Sequence, residues 1–105
     1  HHDAVIGCFR RAGFSLPLTG HAFATIDAFI YGFALQEATL PATDGEELSE
    51  LAASMADQMP ADTFPNLTEF TVDYVLQPGY DFGKEFEFGL DLIFDGLAKA
   101  AGTNP

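Results

Sequence analysis

The chain has 105 residues, a length that fits one domain. Sixteen acidic side chains against four basic ones give a net charge of −12. That balance argues against direct contact with nucleic acid, which needs clustered Lys and Arg to neutralise phosphates, and against anionic membranes. The acidity reads as a solubilising surface around an interior supplied by 48% hydrophobic residues, among them 11 Phe and 3 Tyr but no Trp.

The one cysteine, Cys8, excludes an intramolecular disulfide and suggests a reducing compartment. Its place on an apolar helix face predicts a small buried hydrophobe. No stretch approaches the roughly 20 uninterrupted apolar residues of a membrane span, and no signal peptide is visible. The chain begins His1-His2-Asp3. These histidines have no second ligand cluster to join, so no metal site is expected there.

Every segment reads as helix. The first spans about Asp3 to Ala12, with Ala4, Val5, Cys8, Phe9 and Ala12 on one face. Arg10 and Arg11 suit its last turn, and Gly13 is the expected left-handed C-cap. The second helix starts after Ser15, or alternatively Thr19, and runs to about Thr39, where Pro41 ends it. It carries two apolar faces, Phe23, Ile26, Phe29, Ile30 and Phe33 on one, Ala24, Ala28, Tyr31, Ala34 and Leu35 on the other. A helix apolar on both sides is sandwiched between layers.

Pro41 to Gly45 is a loop of turn formers, with Asp44 placed to cap a third helix. Leu48, Leu51, Ala52, Met55 and Met59 form its single apolar stripe, and Pro60 ends it. The fourth helix is expected from near Thr63, as cap, to Gln77-Pro78-Gly79, with Pro65 early, Leu67, Phe70, Thr71 and Tyr74 on one side, and Val72 and Val75 broadening that side. Asp81 can cap the last helix, Phe82 to Lys99. There Phe82, Phe86, Gly89, Leu90, Ile93, Gly96 and Leu97 recur at steps of three and four, flanked by Phe88, Leu92 and Phe94. That arc is wider than one core contact requires. Its glycines, each costing roughly 1 kcal/mol of propensity, are tolerable where another helix approaches closely. More apolar surface than about a hundred residues can cover points to a partner chain. No alternating strand pattern occurs, so the fold class expected is all-α.

No catalytic signature is present: no nucleophile elbow, phosphate loop, zinc spacing or EF-hand loop. An enzyme is therefore not expected. Glu87, Asp91 and Asp95 lie at i, i+4, i+8, a spacing that could hold a divalent ion. The plainer account is a solvated face with Lys99 relieving the repulsion. Asp27 sits among Phe23, Ile26, Ile30 and Tyr31. A buried charge must be paired or solvated, so either it meets Arg10 or Arg11, or it is the polar anchor of a mostly apolar pocket. His21 could line the same pocket, although a lone histidine is more often a surface residue.

Two segments, IDAFIYGFALQEATLP (Ile26 to Pro41) and PGYDFGKEFEFGLDLIFDGL (Pro78 to Leu97), resemble the regulatory C-terminal domain of the tetracycline-repressor (TetR) family. MADQMPADTFPNLTEF and the opening HHDAVIGCFRRAGFS are similar to the same family's actinobacterial members, so the resemblance covers nearly the whole chain. It implies a bacterial, cytoplasmic transcriptional regulator, expected to be a repressor. The all-helical antiparallel bundle, of about five helices, would bind an inducer in its interior and pair with a second copy through a four-helix bundle. By position, Leu16 to Thr39 and Phe82 to Lys99 match the helices of that bundle. DNA would be bound by an N-terminal helix-turn-helix domain that these residues do not include, and the chain is expected to open inside the regulatory domain. The tetracycline and magnesium ligands of the founding member match no residue here, so no metal or cofactor follows.

The expected ligand-binding residues are Phe9, Phe23, Asp27, Tyr31, Phe70 and Tyr74, with a small, largely apolar effector. For the homodimer seam they are Phe29, Phe33, Phe86, Gly89, Leu90 and Ile93. The rival reading is a stand-alone helical protein-interaction or lipid-binding module without a DNA partner.

Overall fold

A computed structural model describes residues 1–40, 45–58 and 61–102. Pro41, Asp44, Met59 and Pro60, to which the sequence assigned loop, cap and stripe roles, lie outside the described residues. The fold is all-α: α1 His2–Arg11, α2 Leu16–Thr39, α3 Gly45–Gln58, α4 Pro65–Phe70 running into a π-helical segment Thr71–Val75, and α5 Gly83–Gly102. Among the described residues there is no strand.

The helix ends follow from local chemistry. At the close of α1 the Phe14 N–H donates to the Phe9 carbonyl at 3.1 Å and the Gly13 N–H to that of Arg10 at 3.0 Å. With Gly13 at φ 94° this is the Schellman pattern, which satisfies carbonyls the helix leaves unpaired. The accompanying apolar contact is the Phe9–Phe14 ring stack, 5.4 Å between centroids. The Leu18 N–H donates to Ser15 Oγ at 3.2 Å, so Ser15 rather than Thr19 caps α2. At α5 the Asp81 carboxylate accepts the Gly83 N–H at 2.9 Å. Thr63 does not cap α4: Pro65 occupies the first helical turn and Phe64 takes the cap position without a side-chain bond.

The chain divides into two units, His1–Gln36 with the residues from Phe86 onward, and Glu37–Glu85. In the first, His2 meets Phe23 edge-on at 5.4 Å, and Phe29 stacks on Phe86 at 5.2 Å. Phe33 meets Phe86 at 5.2 Å as well. Gly89 lies under the Phe29 ring. The aromatic enrichment thus ties α1 and α5 to one face of α2. In the second unit the expected single fourth helix is interrupted. A Leu76 N–H to Thr71 carbonyl bond of 2.9 Å is an i to i+5 closure, the signature of a π turn. Thr71 is buried, whereas Leu67, Phe70 and Tyr74 are exposed.

Little apolar surface is fully hidden: among the described residues Ala22 and Ala52 are the buried apolar ones. By length and composition α2 is long and apolar enough to cross a membrane. Asp27 lies at its midpoint, however, and a charged side chain at a bilayer centre costs about 2.5–3.5 kcal/mol on insertion scales.

Candidate functional site

Of two apolar cavities, one is lined by residues that the sequence singled out for ligand binding and the other is not. The first, about 290 Å³, belongs to the α1–α2 pair. Val5 and Phe9 of α1 and Phe23, Ile26, Asp27 and Ile30 of α2 line it, with His1 and His2 at its edge. The one-residue offset of Ile26 and Asp27 explains the arrangement: Ile26 turns inward, and Asp27, one step around the helix, reaches the rim. Phe9, Phe23 and Asp27 are therefore brought together.

Asp27 itself is not the buried charge the sequence suggested. It is exposed, and its expected partners are engaged elsewhere. Arg10 donates to the Phe14 carbonyl at 2.8 Å, reinforcing the helix end, and Arg11 donates to Cys8 Sγ at 3.5 Å. An exposed carboxylate needs no ion pair, because water solvates it. Cys8 is likewise exposed rather than buried: on so short a helix the covered strip reaches Val5 and Phe9 but not the Cys8 side. Tyr31 is 71% exposed, on the face of α2 opposite Ile26, away from this cavity. His21 is exposed too.

The second cavity, about 250 Å³, lies wholly within the Glu37–Glu85 unit. Leu48, Leu51, Ala52 and Met55 of α3 form one wall. Thr71 and Val75 of the π segment form another, and Leu40, Tyr80 and Phe82 complete it. Among the described residues no charged side chain lines it. Its two hydroxyls already have partners: Thr71 Oγ1 donates to the Leu67 carbonyl at 2.8 Å, and the Tyr80 hydroxyl faces Glu85 Oε2 at 3.4 Å. Phe70 and Tyr74 belong to this unit, their rings 5.5 Å apart, but neither lines the cavity. The sequence showed the α3 stripe clearly but read it as an ordinary covering face. The periodicity placed Thr71 and Val75 on the apolar side of the fourth helix but did not announce the π turn in which they lie.

Beside the cavity, Glu85 Oε2 accepts the Tyr74 hydroxyl at 2.6 Å as well. The hydrogen bond to Glu85 pushes the Tyr74 phenol above its ordinary value, with desolvation and the Glu85 charge adding to it. Burial does the same to Tyr80, with the nearby Glu85 charge second.

Of the six residues expected at a subunit seam, Phe29, Phe33, Phe86 and Gly89 pack against one another inside the first unit, and Leu90 and Ile93 are half-buried. The apolar residues left exposed on the same two helices are others. On α2 they include Ala24, Ala28, Tyr31 and Leu35, a stripe at i, i+4, i+7, i+11; on α5 they include Phe88 and Leu92, 66% and 60% exposed. Glu87, Asp91 and Asp95 are exposed, and among the described residues no group of three or more His, Cys, Asp or Glu is placed to hold a metal ion.

An all-α chain with an aromatic-packed helix pair and half-open apolar clefts is the class of a helical regulatory domain. The family described as "Tetracyclin repressor-like, C-terminal domain" matches residues 1–101, and the chain belongs to that family. No curated protein and no solved structure matches it.

Proposed function

We propose that this chain is the effector-binding and dimerisation domain of a bacterial, cytoplasmic TetR-family repressor, which releases operator DNA when a small, largely apolar ligand binds. The observation that carries this reading is the uncovered apolar surface of α2 and α5. Tyr31, Leu35, Phe88 and Leu92 are each 60% exposed or more. On α2 these residues belong to one stripe at helical spacing, the pattern of an interaction face rather than of scattered exposed side chains. The family's own assembly gives the partner: a second copy, with the two helices of each subunit forming a four-helix bundle. Phe29, Phe33, Phe86 and Gly89 fix the pair within a subunit, and Leu90 and Ile93 border the seam.

DNA contact would come from a helix-turn-helix domain outside these residues, since a chain of net charge −12 does not grip phosphates. A ligand that prefers the induced arrangement shifts the population toward it in proportion to its differential affinity. The two reading heads then no longer match the half-site spacing.

The test is operator binding by the protein with its DNA-binding domain, read as anisotropy of labelled promoter DNA. A compound shown by calorimetry to bind the regulatory domain should weaken DNA binding by a factor of about 5 to 150, the usual range of such coupling. Unchanged DNA affinity at saturating ligand would contradict the proposal.

A further inference from the structure

We infer that the effector seat is the cavity between α3 and the π segment, and that it takes an uncharged, compact, hydrocarbon-like molecule: a bicyclic aromatic or terpenoid skeleton with at most one hydroxyl. The inference rests on the reading of the chain as an effector-binding domain, and adds to it which cavity binds and what chemistry it accepts.

Size sets the first limit. An apolar cavity of about 150 Å³ is known to hold benzene, so the 250 Å³ here suits a skeleton one ring larger. Lining sets the second. Leu48, Leu51, Val75 and Phe82 present hydrocarbon, and a charged group entering among them would lose its water without gaining a counter-charge. Anions meet a further obstacle in the excess of acidic residues across the chain.

Hydrogen bonding sets the third limit. The Thr71 hydroxyl proton is committed to the Leu67 carbonyl, and Tyr80 faces Glu85. Among the described residues the wall therefore offers a ligand an acceptor at Thr71 Oγ1 and no uncommitted side-chain donor. A single ligand hydroxyl can be satisfied there, whereas a ligand carbonyl cannot.

The α1–α2 cavity differs in kind, because Asp27 stands at its rim. It would favour a cation, so charge separates the two sites experimentally. π turns inside helices frequently mark functional sites, and this one supplies Thr71 and Val75 to the wall.

Three probes with one ring system test this: 1-naphthol, 1-naphthoate and 1-naphthylmethylammonium, titrated into the protein at neutral pH by calorimetry. 1-Naphthol should bind, and each charged analogue should bind at least about tenfold more weakly. Ala52→Phe fills the cavity and should abolish 1-naphthol binding. Should that variant fail to fold, Met55→Lys decides: Met55 is 51% exposed, so a lysine there is tolerated by the fold yet places a charge at the wall, and a loss of about tenfold or more is expected.

The inference is overturned by no detectable 1-naphthol binding, by charged probes binding equally well, or by binding that survives Met55→Lys but is lost in Asp27→Asn. The regulator reading fails separately. If 1-naphthol occupies this cavity but no ligand releases operator, the seat stands and the regulator falls. If a ligand releases operator equally from Met55→Lys, the regulator stands and the seat falls.

Discussion

Replacing Gly89 with alanine tests the helix pair at its tightest point. A Cβ built at Gly89 lies 2.5 Å from Phe29 Cζ and 2.8 Å from Cε1, well inside van der Waals contact. For the Phe29 ring to yield, it must give up its stack on Phe86 at 5.2 Å or its contact with Phe33 at 5.9 Å. Overpacking of this kind costs about 1–3 kcal/mol. Helix propensity works the other way, favouring alanine by about 1 kcal/mol. Gly96 is the internal control: within one chain nothing lies within 4 Å of its Cβ position, and because it shares the Phe88–Leu92 face, both variants are compared in the Leu35→Glu, Phe88→Glu background that opens the proposed seam, where Gly96→Ala should gain the propensity term alone. The difference between the two variants isolates the clash, at about 1–3 kcal/mol, or a separation in Tm of at least about 4 °C for a domain of this size. The assay is thermal unfolding followed by circular dichroism at one fixed protein concentration, because self-association would otherwise move Tm. In a Phe29→Ala background the penalty should vanish. If Gly89→Ala stabilises as much as Gly96→Ala, the close packing of α2 on α5 is refuted.

The tyrosines beside Glu85 should titrate above their ordinary value of 10.0 when phenolate absorbance is followed with pH. A raised phenol pKa means that the fold favours the neutral form. Its stabilisation is thus intact below pH 10 and lost as pH rises beyond it; Glu85→Gln should bring the Tyr74 titration back down, and an unchanged curve would count against the contact. Thr19 is 3% exposed and its Oγ1 has no hydrogen-bond partner, so Thr19→Val should raise stability by about 1 kcal/mol in urea denaturation; a loss of 1 kcal/mol or more would show that the hydroxyl is satisfied. Ser15→Ala removes the oxygen that accepts the Leu18 N–H and should cost about 1 kcal/mol in the same assay, with no effect expected only if the cap is idle.

The all-α class, the helix order and most helix ends were legible because they depend on local chemistry. Ser15, Gly13 and Asp81 act within three residues of themselves, and the structure uses each as its type suggests. The face assignments were less legible. Both faces of α2 are apolar, and periodicity alone does not say which of Phe29 or Tyr31 turns toward α5; the choice is made by ring packing with Phe86. Asp27 illustrates the same limit. Its sequence neighbours are apolar, yet one residue of helical rotation separates the inward Ile26 from the exposed carboxylate. The π turn at Thr71–Val75 was illegible, since it inserts a residue without any glycine or proline to mark it.

The account stands most directly on the size of the particle in solution. Light scattering across a dilution series should give twice the 11.3 kDa chain mass, and Leu35→Glu combined with Phe88→Glu should return it to the single-chain value with the helical signal preserved. A wild-type chain that scatters as one copy at the highest concentration attainable would contradict the proposal that a second copy covers α2 and α5.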